Sequence, residues 1–185
     1  MLRRRLQQLD PIVALTVLLV AAAAVMLALA VSPARAADGA IGLENSSAGK
    51  PGKAKLVNGK AIAPANAPER VVEVIEAANE IRNKPYKWGG GHGSWNDRGY
   101  DCSGAVSYAL HGGRMLKAPL ASGDLMRWGN RGKGDWISVY AHGGHVYAVI
   151  AGLRWDTSMT PGDGPSWSKQ RRSSSGFTVR HYNKY

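Results

Sequence analysis

From Pro68 onward the apolar residues change their period once, and that change limits the chain to few folds. Val71, Val72, Ile75, Ala78 and Ile81 recur at helical spacing, so one helix is predicted over residues 68–83. Pro68 suits a first helical turn, Glu69 sits at the positive end, and Pro85 stops the segment because the residue before proline avoids helical angles. A second helix is predicted from Cys102 to about His111, with Ala105, Val106, Ala109 and Leu110 as its stripe and Gly112-Gly113 as its end. Between Met115 and Lys133 glycines break the pattern, and Ser122-Gly123-Asp124 reads as the start of a short helix. From Asp135 the period falls to two. Residues 135–140, 145–150 and 154–157 read as strands, and 177–182 as a closing strand. Ala151-Gly152-Leu153 is short enough for a tight hairpin. Helices followed by antiparallel strands make an α+β order, not alternating βαβ. With 23 glycines and a single Phe, a loop-rich domain packed by Trp and Tyr is expected rather than a helical bundle.

The first 36 residues have a different character. Arg3, Arg4 and Arg5 precede an uncharged run from Ile12 to Val31, and Ala34-Arg35-Ala36 follows it. A basic start, an apolar stretch and a small-residue cut site are the parts of a secretory signal. The run of 20 residues also matches the length needed to cross a bilayer. Residues 1–36 are therefore expected to be a signal peptide or a membrane anchor, the chain being secreted, extracellular or wall-associated. Residues 37–67 are rich in Gly, Ala, Ser, Lys, Asn and Pro and lack aromatics. They are expected to be a flexible linker, which leaves residues 68–185 as the folded domain.

Export bears on the only cysteine. Exported domains that keep cysteines usually pair them, and Cys102 has no partner within the chain. An odd exported thiol is an intermolecular bridge, a reactive group or an inert buried residue. Its neighbours favour reactivity. Cys102 stands where a loop becomes a helix, beside Asp101, a good N-cap type. Free N–H groups at a helix start stabilise a thiolate. A structural cysteine would sit on the apolar face with Val106 and Ala109.

A cysteine nucleophile needs a base. His92, His111, His142, His145 and His181 are available. His145 heads an apolar strand, which would hold its ring rigidly, and is preferred; His142 is second. A hairpin at Ala151-Gly152-Leu153 would bring Asp156 close to opposite His145, as a third group to orient the ring. A metal site from His92, Cys102, His142 and His145 is disfavoured, because two His three apart on a turn do not match zinc spacing. No cofactor or metal is expected.

Together these residues carry a resemblance. Tyr86-Lys87-Trp88-Gly89-Gly90 followed by Tyr100-Asp101-Cys102-Ser103-Gly104 resembles the nucleophile region of NlpC/P60 cysteine peptidases. Gly134 to Tyr140 resembles that family's Gly-Asp-led strand, and His145 to Ile150 the His-Val strand after it. The resemblance covers about Val71 to Thr157. It implies a papain-like α+β fold, with helices packed on an antiparallel sheet, and hydrolysis of peptidoglycan stem peptides, often between γ-D-glutamate and a diamino acid. It implies Cys102 as nucleophile and His145 as base, with Tyr86, Asp101 and Ser103 shaping the pocket and holding the stem peptide's free amine. The family's third polar residue is usually His, Asn or Gln, where this chain has Asp156. The segment from Gly89 to Gly99 is longer than the family pattern leads one to expect, and is expected to cap the cleft.

The net charge is +11, and +8 beyond residue 36. An exported basic chain is drawn to anionic wall polymers or a membrane surface; no nucleic-acid partner is expected, and a monomer is. The rival readings are an amidase or transferase on the same fold, and a wall-binding protein with an inactive site. The six tryptophans are core or cleft wall, or else line a glycan groove.

Overall fold

The computed structural model describes residues 50–159 and 163–185. The signal or anchor expected over 1–36 lies outside the described residues, as does the linker up to residue 49. Among the described residues no helix is long and apolar enough to cross a membrane.

Helix α1 (Glu69–Ile81) buries Val71, Val74, Ile75, Ala77, Ala78 and Ile81. These are the i, i+3, i+4 positions that its sequence makes apolar. Helix α2 (Cys102–Gly112) packs against it. The Gly112-Gly113 pair lies at this contact, where a Cβ on Gly112 would lie 2.3 Å from the Ala77 Cβ and one on Gly113 2.4 Å from Val74 Cγ2. The left-handed residue that ends the helix is Arg114 (φ 58°), not either glycine. Gly113 is nonetheless the C-cap, its N–H donating to the Ala109 carbonyl at 3.4 Å, so the pair both ends the helix, as the sequence suggested, and serves close helix packing. Helix α3 (Ser122–Leu125) is a single turn that buries Leu125.

Six of the described strands form one antiparallel sheet in the order β3-β8-β4-β5-β6-β7. Its members are β3 (Asn130–Arg131), β4 (Ile137–His142), β5 (His145–Ile150), β6 (Leu153–Asp156), β7 (Ser166–Ser168) and β8 (Thr178–His181). The fold is thus α+β, as the change of period implies. Ala151 (φ 45°) and Gly152 (φ 84°) make the tight turn between β5 and β6, the left-handed pair that suits a two-residue hairpin. Alternation along β5 sends Val146, Ala148 and Ile150 into the core. Trp155 of β6 pairs with Ala148. It is fully buried and donates from Nε1 to the Ala105 carbonyl of α2 at 3.1 Å. One side chain thereby fixes the sheet against the helix that begins at Cys102.

Two segments depart from the sequence reading. Residues 50–67 were expected to be linker, yet Lys55–Val57 (β1) and Lys60–Ile62 (β2) form a hairpin. Asn58 and Gly59 turn it with positive φ. Asn79 of α1 brackets the buried Ala61, accepting from its N–H (3.0 Å) and donating to its carbonyl (2.8 Å). The Ala54 N–H reaches the Ala151 carbonyl at 2.8 Å. The composition is poor in large apolar groups, and side-chain-to-backbone bonds supply the docking. The second departure is β7, expected to be loop. Trp167 packs on Trp155 with ring centres 4.8 Å apart and donates to Asn79 at 2.9 Å.

Candidate active site

Cys102 is the first residue of α2. Asp101 caps the helix, its Oδ1 accepting from the Gly104 N–H at 2.7 Å, an interaction worth about 0.5–2 kcal/mol. Gly104 is glycine because the Gly90 carbonyl lies 2.0 Å from where a Cβ would stand. That close approach lets Gly90 accept from the Asp101 N–H. Tyr86 and Tyr100 form a parallel bridge, so the aromatic-Gly-Gly loop runs beside the start of α2. The half-exposed Tyr86 hydroxyl has a raised pKa, through burial first and then the proximity of Cys102 and Asp101. Trp88 is 86% exposed on the same loop.

His145 opens β5, and its Nε2 lies 2.9 Å from Asp156 Oδ1. Its ring also lies near enough to Cys102 for the two to shift each other's pKa. With Nε2 turned to Asp156, Nδ1 is the ring nitrogen left for the thiol. Burial alone would raise the thiol's pKa. His145, the Val146 N–H and Ser122 outweigh it, and the pKa is lowered. Burial alone would likewise lower that of the imidazole, but Asp156 and Cys102 on its two sides raise it to about 9. Both shifts favour a thiolate–imidazolium pair.

Asp156 is not directly opposite His145. The β5–β6 register pairs Ala148 with Trp155 and Ile150 with Leu153, which puts Asp156 level with Tyr147. The His145–Asp156 contact is therefore a same-face diagonal, within reach because the imidazole is long. The carboxylate is buried, and burial works against its charge. His145 and the Ser158 N–H and hydroxyl, each 2.9 Å away, hold its pKa down at about 2. Oδ2 takes Arg172 Nη1 at 3.0 Å and has Arg154 Nε 3.5 Å away. Arg172 also lies over the rings of Tyr147 and Phe177. The basic stretch ending at Arg172 reads as loop in the sequence, and the structure makes its last residue a partly buried counter-ion to Asp156.

The other sequence candidates fall in distinct places. His142 accepts from the Gly144 N–H at Nδ1 and packs against Phe177. His111 faces the Leu116 carbonyl and stacks on Trp95, and His181 faces the Gly132 carbonyl. His92 Nε2 lies 3.1 Å from Asp101 Oδ1 and 3.0 Å from Ser103 Oγ. The 89–99 segment was expected to cap the cleft. Instead Trp95 lies flat on His111, 4.0 Å between ring centres, at the far end of α2, and His92 is the part of it that reaches Asp101. Ser122, at the start of α3, stands 3.8 Å from Cys102 Sγ, and no local pattern marked it. Among the described residues no three His, Cys, Asp or Glu side chains converge as metal ligands.

No family model matches the chain, and no curated protein matches it either. Solved structures do. Two variants of the Resuscitation Promoting Factor Interacting protein RipA superpose at 22% and 21% identity, each with a TM-score of 0.48, over 67% and 72% of this chain and 69% and 72% of theirs. RipD from Mycobacterium tuberculosis, described as a non-catalytic NlpC/p60 domain protein adapted to peptidoglycan binding, superposes at 23% identity and a TM-score of 0.45, over 62% of this chain and 98% of its own.

Proposed function

We propose that the chain is a secreted or wall-associated cysteine peptidase that hydrolyses peptide bonds in peptidoglycan stem peptides, at the γ-D-glutamyl–diamino acid position. The observation that carries this reading is His145, which neighbours Cys102 closely enough to lower the thiol's pKa and is hydrogen-bonded to a buried carboxylate. In the proposed reaction the Cys102 thiolate attacks the scissile carbonyl carbon. The developing oxyanion is met by the Cys102 N–H, one of the helix-start donors without an intrahelical acceptor. The His145 imidazolium protonates the leaving amine as the C–N bond breaks, leaving a thioester. Water then attacks the thioester, His145 takes its proton, and the thiolate leaves. Asp156 holds the ring in place throughout and stays ionised.

The basic charge supports attraction to anionic wall polymers, and the N-terminal pattern supports export. Mass spectrometry of muropeptides digested with the wild type and with Cys102→Ala tests the reading. New fragments with a free amine, made by the wild type alone, are expected and would identify the bond. An absence of products from folded wild type across several stem-peptide types would instead support a binding protein or a transferase lacking its acceptor. For export, a mature start at Ala37 is expected if the segment is a signal peptide. An intact N-terminus in the membrane fraction would mean an anchor.

A further inference from the structure

His92 covers an acceptor cluster next to the nucleophile that has a use beyond capping the helix. Asp101 Oδ1 accepts from the Gly104 N–H at 2.7 Å and the Ser103 hydroxyl at 3.0 Å, and Oδ2 from the Gly89 N–H at 3.1 Å. Those donors belong to α2 or to the loop docked on it. The remaining donor is the His92 ring. Because Ser103 spends its proton on Asp101, the His92 Nε2–H must donate to both oxygens, at 3.1 and 3.0 Å. The ring is the outer layer: its side chain is 28% exposed, against 12% for the Asp101 side chain.

The ring's position is built in. A Cβ on Gly91 would meet the Tyr100 ring at 2.6 Å and Gly104 Cα at 3.0 Å, so the backbone before His92 lies tight against the start of α2. After it, Gly93 has open space around it. Among the described residues the ring's hydrogen bonds are to Asp101 and Ser103, so a ligand that takes those two acceptors releases it. A primary ammonium carries three donors and a full charge. At this carboxylate and hydroxyl it would make stronger, charge-assisted bonds than a single ring N–H does.

We propose that His92 is a specificity-determining gate, which a substrate's terminal ammonium must displace from Asp101 and Ser103. This rests on the peptidase reading of the site. Peptides whose amine is blocked have nothing to offer in exchange for the lost His92 bonds and are refused there. Free-amine peptides bind, with their affinity reduced by the contact they break.

Calorimetry on the full chain carrying Cys102→Ala separates this effect from turnover. The ligands are L-Ala-γ-D-Glu-diaminopimelate with a free amine and the same peptide N-acetylated. Adding His92→Ala is expected to tighten the free-amine peptide about tenfold, the scale of one hydrogen bond to a charged group, and to leave the acetylated one unchanged. His92→Gln keeps a donor and is expected to bind like the parent. His92→Met, which fills the space without a donor, carries the same test if His92→Ala does not fold. Equal or weaker binding of the free-amine peptide after removing His92 overturns the gate alone. Failure of that peptide to bind the parent and the His92 variants alike overturns the substrate reading and the gate with it.

Discussion

The imidazole of His145 meets the carboxylate of Asp156 on a diagonal, 2.9 Å from Nε2 to Oδ1 across β5 and β6, and two arginines share the carboxylate's other oxygen. In the proposed mechanism this makes Asp156 more than an orienting acid. It is a buried anion whose charge is already compensated before His145 takes a proton.

Removing triad members should therefore give unequal losses. Cys102→Ala is expected to abolish hydrolysis with the fold intact. His145→Ala should lower kcat/KM by about a thousandfold or more, the scale of a lost general acid–base group. Asp156→Asn should cost less, since Cys102 and His145 remain in contact. Asp156→Ala is expected also to destabilise the fold by about 3 kcal/mol, because it strands Arg154 and Arg172. Muropeptide kinetics beside circular dichroism measure both effects. Wild-type activity in the His145 variant would remove it as the base.

On the proposed mechanism, Cys102 and His145 set the pH range of activity. His145 must be protonated to release the amine, and its pKa is raised to about 9. Activity is expected to persist through neutral pH and to fall as pH rises through about 9. Alkylation of Cys102 by iodoacetamide should remain fast well below the ordinary thiol range, because its pKa is lowered. A wild-type alkaline limb near 6.5, the ordinary imidazole value, would contradict the pairing.

Stability should follow the same groups with opposite signs. The raised pKa of His145 means that its contribution is whole below about 6.5 and is lost as pH rises through about 9. The lowered pKa of Asp156 means that its contribution is present above about 3.8 and is lost as pH falls through about 2. Thermal unfolding across pH should show both limbs. In His145→Gln the alkaline loss should shrink.

Arg172 should tune His145 through Asp156. It donates to the carboxylate at 3.0 Å and to the Ser158 hydroxyl at 2.8 Å while packed on Tyr147 and Phe177. Arg172→Ala removes a cation that competes for the Asp156 charge. The alkaline limb is expected to move to higher pH, and kcat to fall about threefold to tenfold as the carboxylate loses a charge-assisted anchor. A fall in kcat with an unmoved pH profile would mean that Arg172 only packs.

Asn79 should hold the N-terminal hairpin to the domain. Its amide joins the Ala61 N–H, the Ala61 carbonyl and the Trp167 indole. Asn79→Ala leaves buried polar groups without partners, at about 1–3 kcal/mol each. A stability loss of about 3 kcal/mol in urea unfolding is expected. A loss below about 0.5 kcal/mol would mean that water replaces the amide.

What the sequence by itself determined is what depends on neighbours along the chain. The change from helical spacing to alternation placed α1, α2, β4, β5, β6 and β8 to within a few residues. Asp101-Cys102 was legible as a loop-to-helix junction, and the Ala151-Gly152 turn brought Asp156 near His145. In the β1–β2 hairpin Asn58-Gly59 was a legible turn signal, but its short strands carry too few apolar residues to show a period. Tertiary structure decided what depends on contacts between distant segments. The diagonal register, the arrival of Arg172 at a carboxylate 16 residues earlier, Ser122 beside Cys102, and His92 at the helix start are of this kind. Periodicity reports which face of an element is buried. It carries no record of which polar side chains meet once faces from different parts of the chain are packed together.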